Sequence, residues 1–168
     1  MRETTEADLD ALMTLYPLAF PDEELRPLVK ELLDEKEGVF SFAVFDGAQL
    51  IGHALYSLGA VGGKAGAALL GPLAVAPSHQ RQGVGRGLQL YAHNALSGVG
   101  VRQVFLLGDP KYYSRIGFAQ ESLVTTPCPI PDDWAAAWQS QTLGAAARFG
   151  AGALTLPLPW MNPVYWSG

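Results

Sequence analysis

The run Leu73-Ala74-Val75-Ala76-Pro77-Ser78-His79-Gln80-Arg81-Gln82-Gly83-Val84-Gly85-Arg86-Gly87-Leu88 is the part of this sequence best equipped for chemistry. An apolar, strand-like stretch enters a glycine-rich turn, and the turn opens a helix-like stretch. Such a turn leaves several backbone N–H groups unpaired at the positive end of a helix dipole, which makes a site for an anion. Glycine lets a phosphate approach the main chain closely, and Arg81 and Arg86 can add charge-assisted hydrogen bonds. The bland alternative is a helix that merely starts with glycine. Gly83, Gly85 and Gly87 would each weaken a helix by roughly 1 kcal/mol relative to alanine, so something should offset them. Two well-known phosphate loops do not fit. A Walker loop needs Gly-Lys-Ser/Thr where this chain has Gly85-Arg86-Gly87-Leu88, and a dinucleotide fingerprint needs a third glycine where Leu88 stands.

The elements that must position this turn can be read from periodicity. Thr5-Glu6-Ala7-Asp8 has the form of a capping box, followed by Leu9, Leu12, Met13 and Tyr16 at helical spacing, with Pro17 as the expected stop. A second helix carries Leu25, Leu28, Val29, Leu32 and Leu33 on one face, with Pro27 near its regular start and Gly38 at its end. Residues 39–45 (VFSFAVF) are apolar on both faces and predict an interior strand. Asp46-Gly47 is a hairpin signal, so residues 50–58 and 67–75 complete a three-stranded antiparallel meander. After Pro77 a helix is predicted over 83–96, closed by Gly98 and Gly100, and then a strand over 101–107. The helix between them makes that strand parallel to the one ending at Val75. Gly108-Asp109-Pro110 ends it, and residues 111–116 have room for one or two helical turns. Beyond Phe118 the pattern weakens, with a short helix read over 134–147 and a last strand over 153–158.

Composition sets the frame. The chain has 168 residues, 49% hydrophobic and 16% charged, which suits one folded domain over 1–168 and argues against disorder. The net charge of −5 weighs against nucleic acid as the main partner, because phosphate backbones need a concentrated basic face. Cys128 is the single cysteine, so neither an intramolecular disulfide nor a thiolate metal cluster can form, and no metal is expected. The opening MRETTEADLD lacks an apolar signal segment, and no stretch is long enough for a membrane span. A cytoplasmic protein with no membrane partner is expected.

Gln80-Arg81-Gln82-Gly83-Val84-Gly85 matches Gln/Arg-x-x-Gly-x-Gly/Ala, the signature of the GNAT acetyltransferases, and it stands between the strand and helix where that family places it. A second mark follows after the next strand, where Tyr113 is succeeded four residues later by Gly117-Phe118. With Gly52-His53, Gly71-Pro72-Leu73-Ala74-Val75 and Leu106-Leu107-Gly108-Asp109-Pro110-Lys111-Tyr112-Tyr113, the chain resembles the YhbS-like branch of bacterial acetyltransferases. The resemblance implies an α/β (α+β) fold with a central twisted, mixed, mostly antiparallel sheet flanked by helices. It also implies a splay between the two parallel central strands.

That resemblance further implies acetyl-CoA as cofactor, held by main chain at Leu73, Ala74 and Val75 and by the turn Gln80, Arg81, Gln82, Gly83, Val84, Gly85, Arg86 and Gly87. An amine of a small molecule or peptide would attack the thioester directly, with Tyr113 protonating the departing sulfur. A phenol with a pKa near 10 suits that donation. The base is less determined. Many relatives place a glutamate on the strand before the signature, but Ala67-Ala68-Leu69-Leu70-Gly71 carries none. His53 is the first candidate by pKa, with a backbone-bonded structural histidine as the alternative. Glu23, Glu24, Asp109 or a water chain stand behind it. The segment 157–166, with three aromatics and three prolines, could wall an amine pocket, form a homodimer contact or cover a sheet edge. Two other activities stay open: a non-catalytic acyl-CoA-binding module, and transfer of a longer acyl chain or to a hydroxyl.

Overall fold

In the computed structural model, which describes residues 1–167, the apolar periodicities resolve into two compact units. The first comprises residues 1–56 and 71–95, the second residues 57–70 and 96 onward.

The first unit begins with β1 (Arg2–Glu3), antiparallel to β2 (Val39–Asp46) with Arg2 opposite Ala43. The capping box forms as expected: the Thr5 amide donates to Asp8 at 2.8 Å, and Arg2 clamps the same carboxylate at 2.7 and 2.8 Å. A single 3-10 turn at Glu6–Asp8 leads into α1 (Leu9–Ala19), which buries Leu12, Leu15 and Tyr16. Pro17 does not stop this helix but lies inside its last turn, two residues before the end. The helix then closes through the Phe20 amide on the Tyr16 carbonyl at 2.9 Å. In α2 (Arg26–Asp34), Pro27 occupies the first turn, where a missing N–H costs nothing, and Leu28, Val29 and Leu32 are buried. The meander continues through β3 (Gln49–Val61) and β4 (Lys64–Val75), whose residues up to 56 and from 71 belong to this unit. The unit ends in α3 (Val84–Gly98) as far as residue 95, with Leu88 and Ala92 buried.

The second unit adds β5 (Gln103–Leu107), parallel to β4 from Ala67 opposite Gln103 to Leu69 opposite Phe105, where their pairing ends. Beyond β5 come α4 (Pro110–Tyr113), β6 (Ala119–Gln120) and β7 (Val124–Thr125). The helix expected over 134–147 is not formed. A 3-10 stretch at Asp132–Ala137 passes instead into β8 (Trp138–Thr142), paired antiparallel with all of β5. Packing overrides local preference here. The Trp138 ring stacks on Phe105 at 5.6 Å, and its indole N–H donates to the Val124 carbonyl at 2.8 Å. The last strand, β9 (Gly152–Thr155), is shorter than expected and pairs with both β3 and β7. The sheet is therefore mixed and mostly antiparallel with helices flanking it, the architecture the sequence predicts.

The aromatic and proline-rich tail packs into this unit. Trp166 and Trp160 lie 5.9 Å apart and are both buried, and the Trp166 indole donates to the Trp160 carbonyl at 2.7 Å. The Trp160 indole donates to Ser57 Oγ at 2.9 Å. Glu121 is the other anchor. Its fully buried carboxylate accepts from the amides of Leu123 and Val124, from Gln103 Nε2, from Ser140 Oγ and from Arg148.

Candidate active site

The glycine-rich turn belongs wholly to the first unit. β4 ends at Val75, with Ala74 buried and Leu73 and Val75 partly exposed. The Ala76 amide ties the strand end to the Ile51 carbonyl at 2.8 Å, and a 3-10 turn at Pro77–His79 follows. Two glutamine side chains then brace the loop from inside. Gln80 donates to the Val75 carbonyl at 3.1 Å and Gln82 to the Ser78 carbonyl at 2.9 Å. Between them Arg81 sits at φ 60°, a left-handed conformation that costs a non-glycine residue on the order of 1 kcal/mol or more. Gly83 follows at φ 83°. Alternation of this kind curls successive N–H groups toward one point. Among the described residues, the amides from Gln82 to Arg86 meet no intramolecular acceptor, and the first to close is that of Gly87, on the Gly83 carbonyl at 2.9 Å. The Arg81 and Arg86 side chains are exposed at the rim. The loop thus holds a curved array of amides without acceptors among the described residues at the start of a 15-residue helix, where the helix dipole favours negative charge.

Tyr113 belongs to the second unit. Asp109 caps α4 by accepting the Lys111 amide at 2.9 Å, and the Tyr113 amide returns to the Asp109 carbonyl at 3.1 Å. After one 3-10 turn, Gly117 at φ 99° reverses the chain. The Phe118 amide then reaches the Tyr113 carbonyl at 3.1 Å, and the Phe118 ring meets the Tyr113 ring edge-on at 5.8 Å. That turn explains the spacing from tyrosine to Gly-Phe. On its other side the Tyr113 ring lies across the end of β5, so close that a Cβ on Gly108 would sit 2.5 Å from its Cε2. Burial, with Tyr112 beside it, raises the phenol's pKa and keeps it protonated. Its ring is fixed while its hydroxyl makes no hydrogen bond among the described residues.

His53 lies in the core of the first unit. It is fully buried on β3, with Nδ1 2.7 Å from Tyr16 Oη and Nε2 2.7 Å from Ser41 Oγ. Burial pushes its pKa down to about 3, so the ring is neutral at ordinary pH. Glu24 is paired with Arg26, which lowers its pKa to about 2, and Glu23 is exposed nearby. Asp109 is spent on its helix cap.

A model of the Acetyltransferase (GNAT) family matches residues 9–121, which cover both the anion loop and the tyrosine turn. The chain belongs to the GNAT family. Over 151 residues it is 31% identical to an Escherichia coli (strain K12) protein named uncharacterized N-acetyltransferase YjhQ, covering 84% of this chain and 83% of that one. It is similar in structure to the E. coli GNAT N-acetyltransferase YhbS in complex with CoA, with a TM-score of 0.84 and 25% identity over 95% of this chain and 89% of that one. A Brucella melitensis GNAT acetyltransferase in complex with acetyl-CoA shares the fold at a TM-score of 0.74 and 24% identity, over 95% and 96% of the two chains. In GNAT terms, the signature is the braced amide loop and the second mark is the seated tyrosine. Gly108 went unrecognised in the sequence. A glycine ending a strand signals a turn, and nothing local says that an aromatic ring five residues later will rest on it.

Proposed function

We propose that residues 1–168 act as one acyltransferase domain that moves an acetyl group from acetyl-CoA to a primary amine of a small molecule or peptide. The observation that carries this reading is the row of free amides from Gln82 to Arg86, held open by a left-handed Arg81. Backbone strain of that kind is kept where a ligand repays it. The coenzyme supplies the acetyl group as a thioester. Leu73, Ala74 and Val75 would offer main-chain partners to its pantetheine arm, and the amides from Gln82 to Arg86, with the Arg81 and Arg86 side chains, would take its pyrophosphate; the Gly87 amide is used within the helix, on the Gly83 carbonyl at 2.9 Å. Gln80 and Gln82 serve through their braces on the loop. The E. coli YhbS and B. melitensis relatives, described with CoA and acetyl-CoA, support the same assignment.

Tyr113 is assigned as general acid. Its proton passes to the sulfur as the carbon–sulfur bond breaks and the amine nitrogen takes the acetyl group. A phenol with a raised pKa is protonated at neutral pH, and its hydroxyl is free to donate. His53 we assign to the scaffold, because both its nitrogens are engaged and a pKa near 3 makes it a poor base. The amine's proton goes to solvent.

The test is a thermal melt with acetyl-CoA, with ATP and NAD as matched anions. At about 100-fold above its dissociation constant a ligand adds ~2.7 kcal/mol. At roughly 2–4 °C per kcal/mol for a chain of this size, the midpoint should rise by about 5–11 °C with acetyl-CoA and much less with the controls. An equal rise with ATP would reduce the loop to a general anion site. An amine screen follows, in which Tyr113→Phe should lower turnover by about 100-fold or more while acetyl-CoA still stabilises the variant. Full turnover in Tyr113→Phe would remove the acid from this residue. Binding with no turnover of any amine would favour an acyl-CoA-binding module.

A further inference from the structure

Gly52 on β3 is a glycine that its backbone does not require, since its φ lies outside the left-handed region. What requires it is space. A Cβ built on Gly52 would stand 2.8 Å from Val84 Cγ1, 3.2 Å from Leu88 Cδ1 and 3.6 Å from the Ala74 carbonyl oxygen. Val84 is the first residue of α3, and its amide belongs to the anion loop. The first turn of the helix therefore rests directly on the strand backbone.

The strand has no freedom to retreat. Side chains alternate along a strand, so Gly52 faces α3 while its neighbour His53 faces α1. There His53 is held by Tyr16 at 2.7 Å and by Ser41 at 2.7 Å. The other neighbour, Ile51, holds the Ala76 amide through its carbonyl at 2.8 Å, which fixes the strand end from which the loop departs. Val84 is β-branched and stiff at χ1, so a methyl group at position 52 presses through its Cγ1, at 2.8 Å, on the first turn of α3. Its displacement moves the amides of Val84, Gly85 and Arg86 together.

We propose that Gly52 is a positioning residue for the coenzyme: it sets the height of the first turn of α3 and so the placement of the amide array. This inference rests on the acetyl-CoA reading of the loop. Within it, the buried His53 cluster acts as the strut that makes the contact at Gly52 stiff.

The experiment is calorimetric titration of coenzyme A into the unaltered chain, Gly52→Ala, Val84→Ala, the double variant Gly52→Ala/Val84→Ala, and Val84→Ile, with a ligand-free melt of each. An overpacked contact is relieved by shifting backbone, here the amides that face the coenzyme, so Gly52→Ala should bind coenzyme A about tenfold more weakly, ~1.4 kcal/mol. Removing the opposing methyls should restore the double variant to within about threefold of Val84→Ala, which is the reference for the rescue. A generally destabilised fold would show a lowered melting midpoint with no such rescue of affinity. Should Gly52→Ala fail to fold, Val84→Ile decides, because it presses the same contact from the helix side and should weaken binding likewise. Unchanged affinity in Gly52→Ala, or in Val84→Ile if the former does not fold, would overturn the inference alone. So would a double variant as weak as the single one. No binding by the unaltered chain would overturn the acetyl-CoA reading and this inference with it.

Discussion

Replacing Glu121 by glutamine tests whether one buried carboxylate organises the second unit. The side chain is fully buried, and its hydrogen-bond partners among the described residues all donate to it. One oxygen accepts the Leu123 and Val124 amides at 2.7 and 3.1 Å. The other accepts Gln103 Nε2 at 3.1 Å, Ser140 Oγ at 2.6 Å and Arg148 at 3.0 Å. Glutamine keeps the shape but turns one end into an NH2 group, which must then face two or three donors. It also leaves Arg148 without its counter-ion, although half of that side chain stays in water. Breaking one side of a buried charged cluster costs about 3–5 kcal/mol. At roughly 2–4 °C per kcal/mol, Glu121→Gln should melt about 6–20 °C lower at pH 7. Arg148→Met leaves the buried carboxylate its other donors but no counter-ion, and should cost about 1.5–3 kcal/mol. The difference should also depend on pH. Burial acts to raise the Glu121 pKa, but hydrogen bonds from Ser140, the Leu123 and Val124 amides and Arg148 outweigh it and hold the pKa below its ordinary value. Its stabilisation is thus complete above the unfolded carboxylate pKa near 4.3 and is lost as pH falls through the lower folded value. The melting gap between the two proteins should shrink below about pH 4. A Glu121→Gln protein melting within about 2 °C of the parent at pH 7 would refute the reasoning.

Three further outcomes are expected. His53 is held neutral, so the unfolded chain protonates first as pH falls, and stability should drop by about 1.4 kcal/mol per pH unit from roughly 6.5 toward 3. Melts of His53→Gln from pH 7 to 5 should lack that slope, and an equal slope would show that the residue does not cause it. Its imidazole resonances should show no titration between pH 5.5 and 8 by NMR, and a midpoint near 6.5 would return it to candidacy as a base. Ser57→Ala should leave the buried Trp160 indole N–H unpaired and lower stability by about 1–3 kcal/mol, read as a denaturant midpoint at unchanged m-value.

How far the sequence reached depended on whether a feature was local. The capping box at Thr5 and Asp8, the hairpin at Asp46-Gly47 and the turn from Val75 to α3 were legible because each is decided by residues within one or two turns of chain. The expected helix over 134–147 failed for the opposite reason. Alanine-rich residues favour helix in isolation, but Trp138 finds Phe105 and the Val124 carbonyl, and the edge of β5 takes residues 138–142 as a strand. Pro17 was misplaced by a shorter margin, because its helix had two residues left to run. The tail's aromatics gave no sign of which alternative they served until Trp160 met Ser57, more than a hundred positions earlier.

Position 53 shows most clearly why residue type alone is a weak guide to chemistry. Histidine invites a reading as a base because its free pKa lies near neutrality. That value belongs to a solvated ring, and β3 places this one where no water reaches it. Tyr16 and Ser41 satisfy its two nitrogens as a neutral ring, and burial removes the charged form, so hydrogen bonding and desolvation act in the same direction. Tyr113 is the reverse case. Its ring is as firmly held, by Phe118 and by the end of β5, yet its hydroxyl has no hydrogen-bond partner among the described residues. A group that is to give up a proton must be fixed in place and unsatisfied at its reacting atom. By that criterion the phenol qualifies and the imidazole does not, although the imidazole has the better pKa in water.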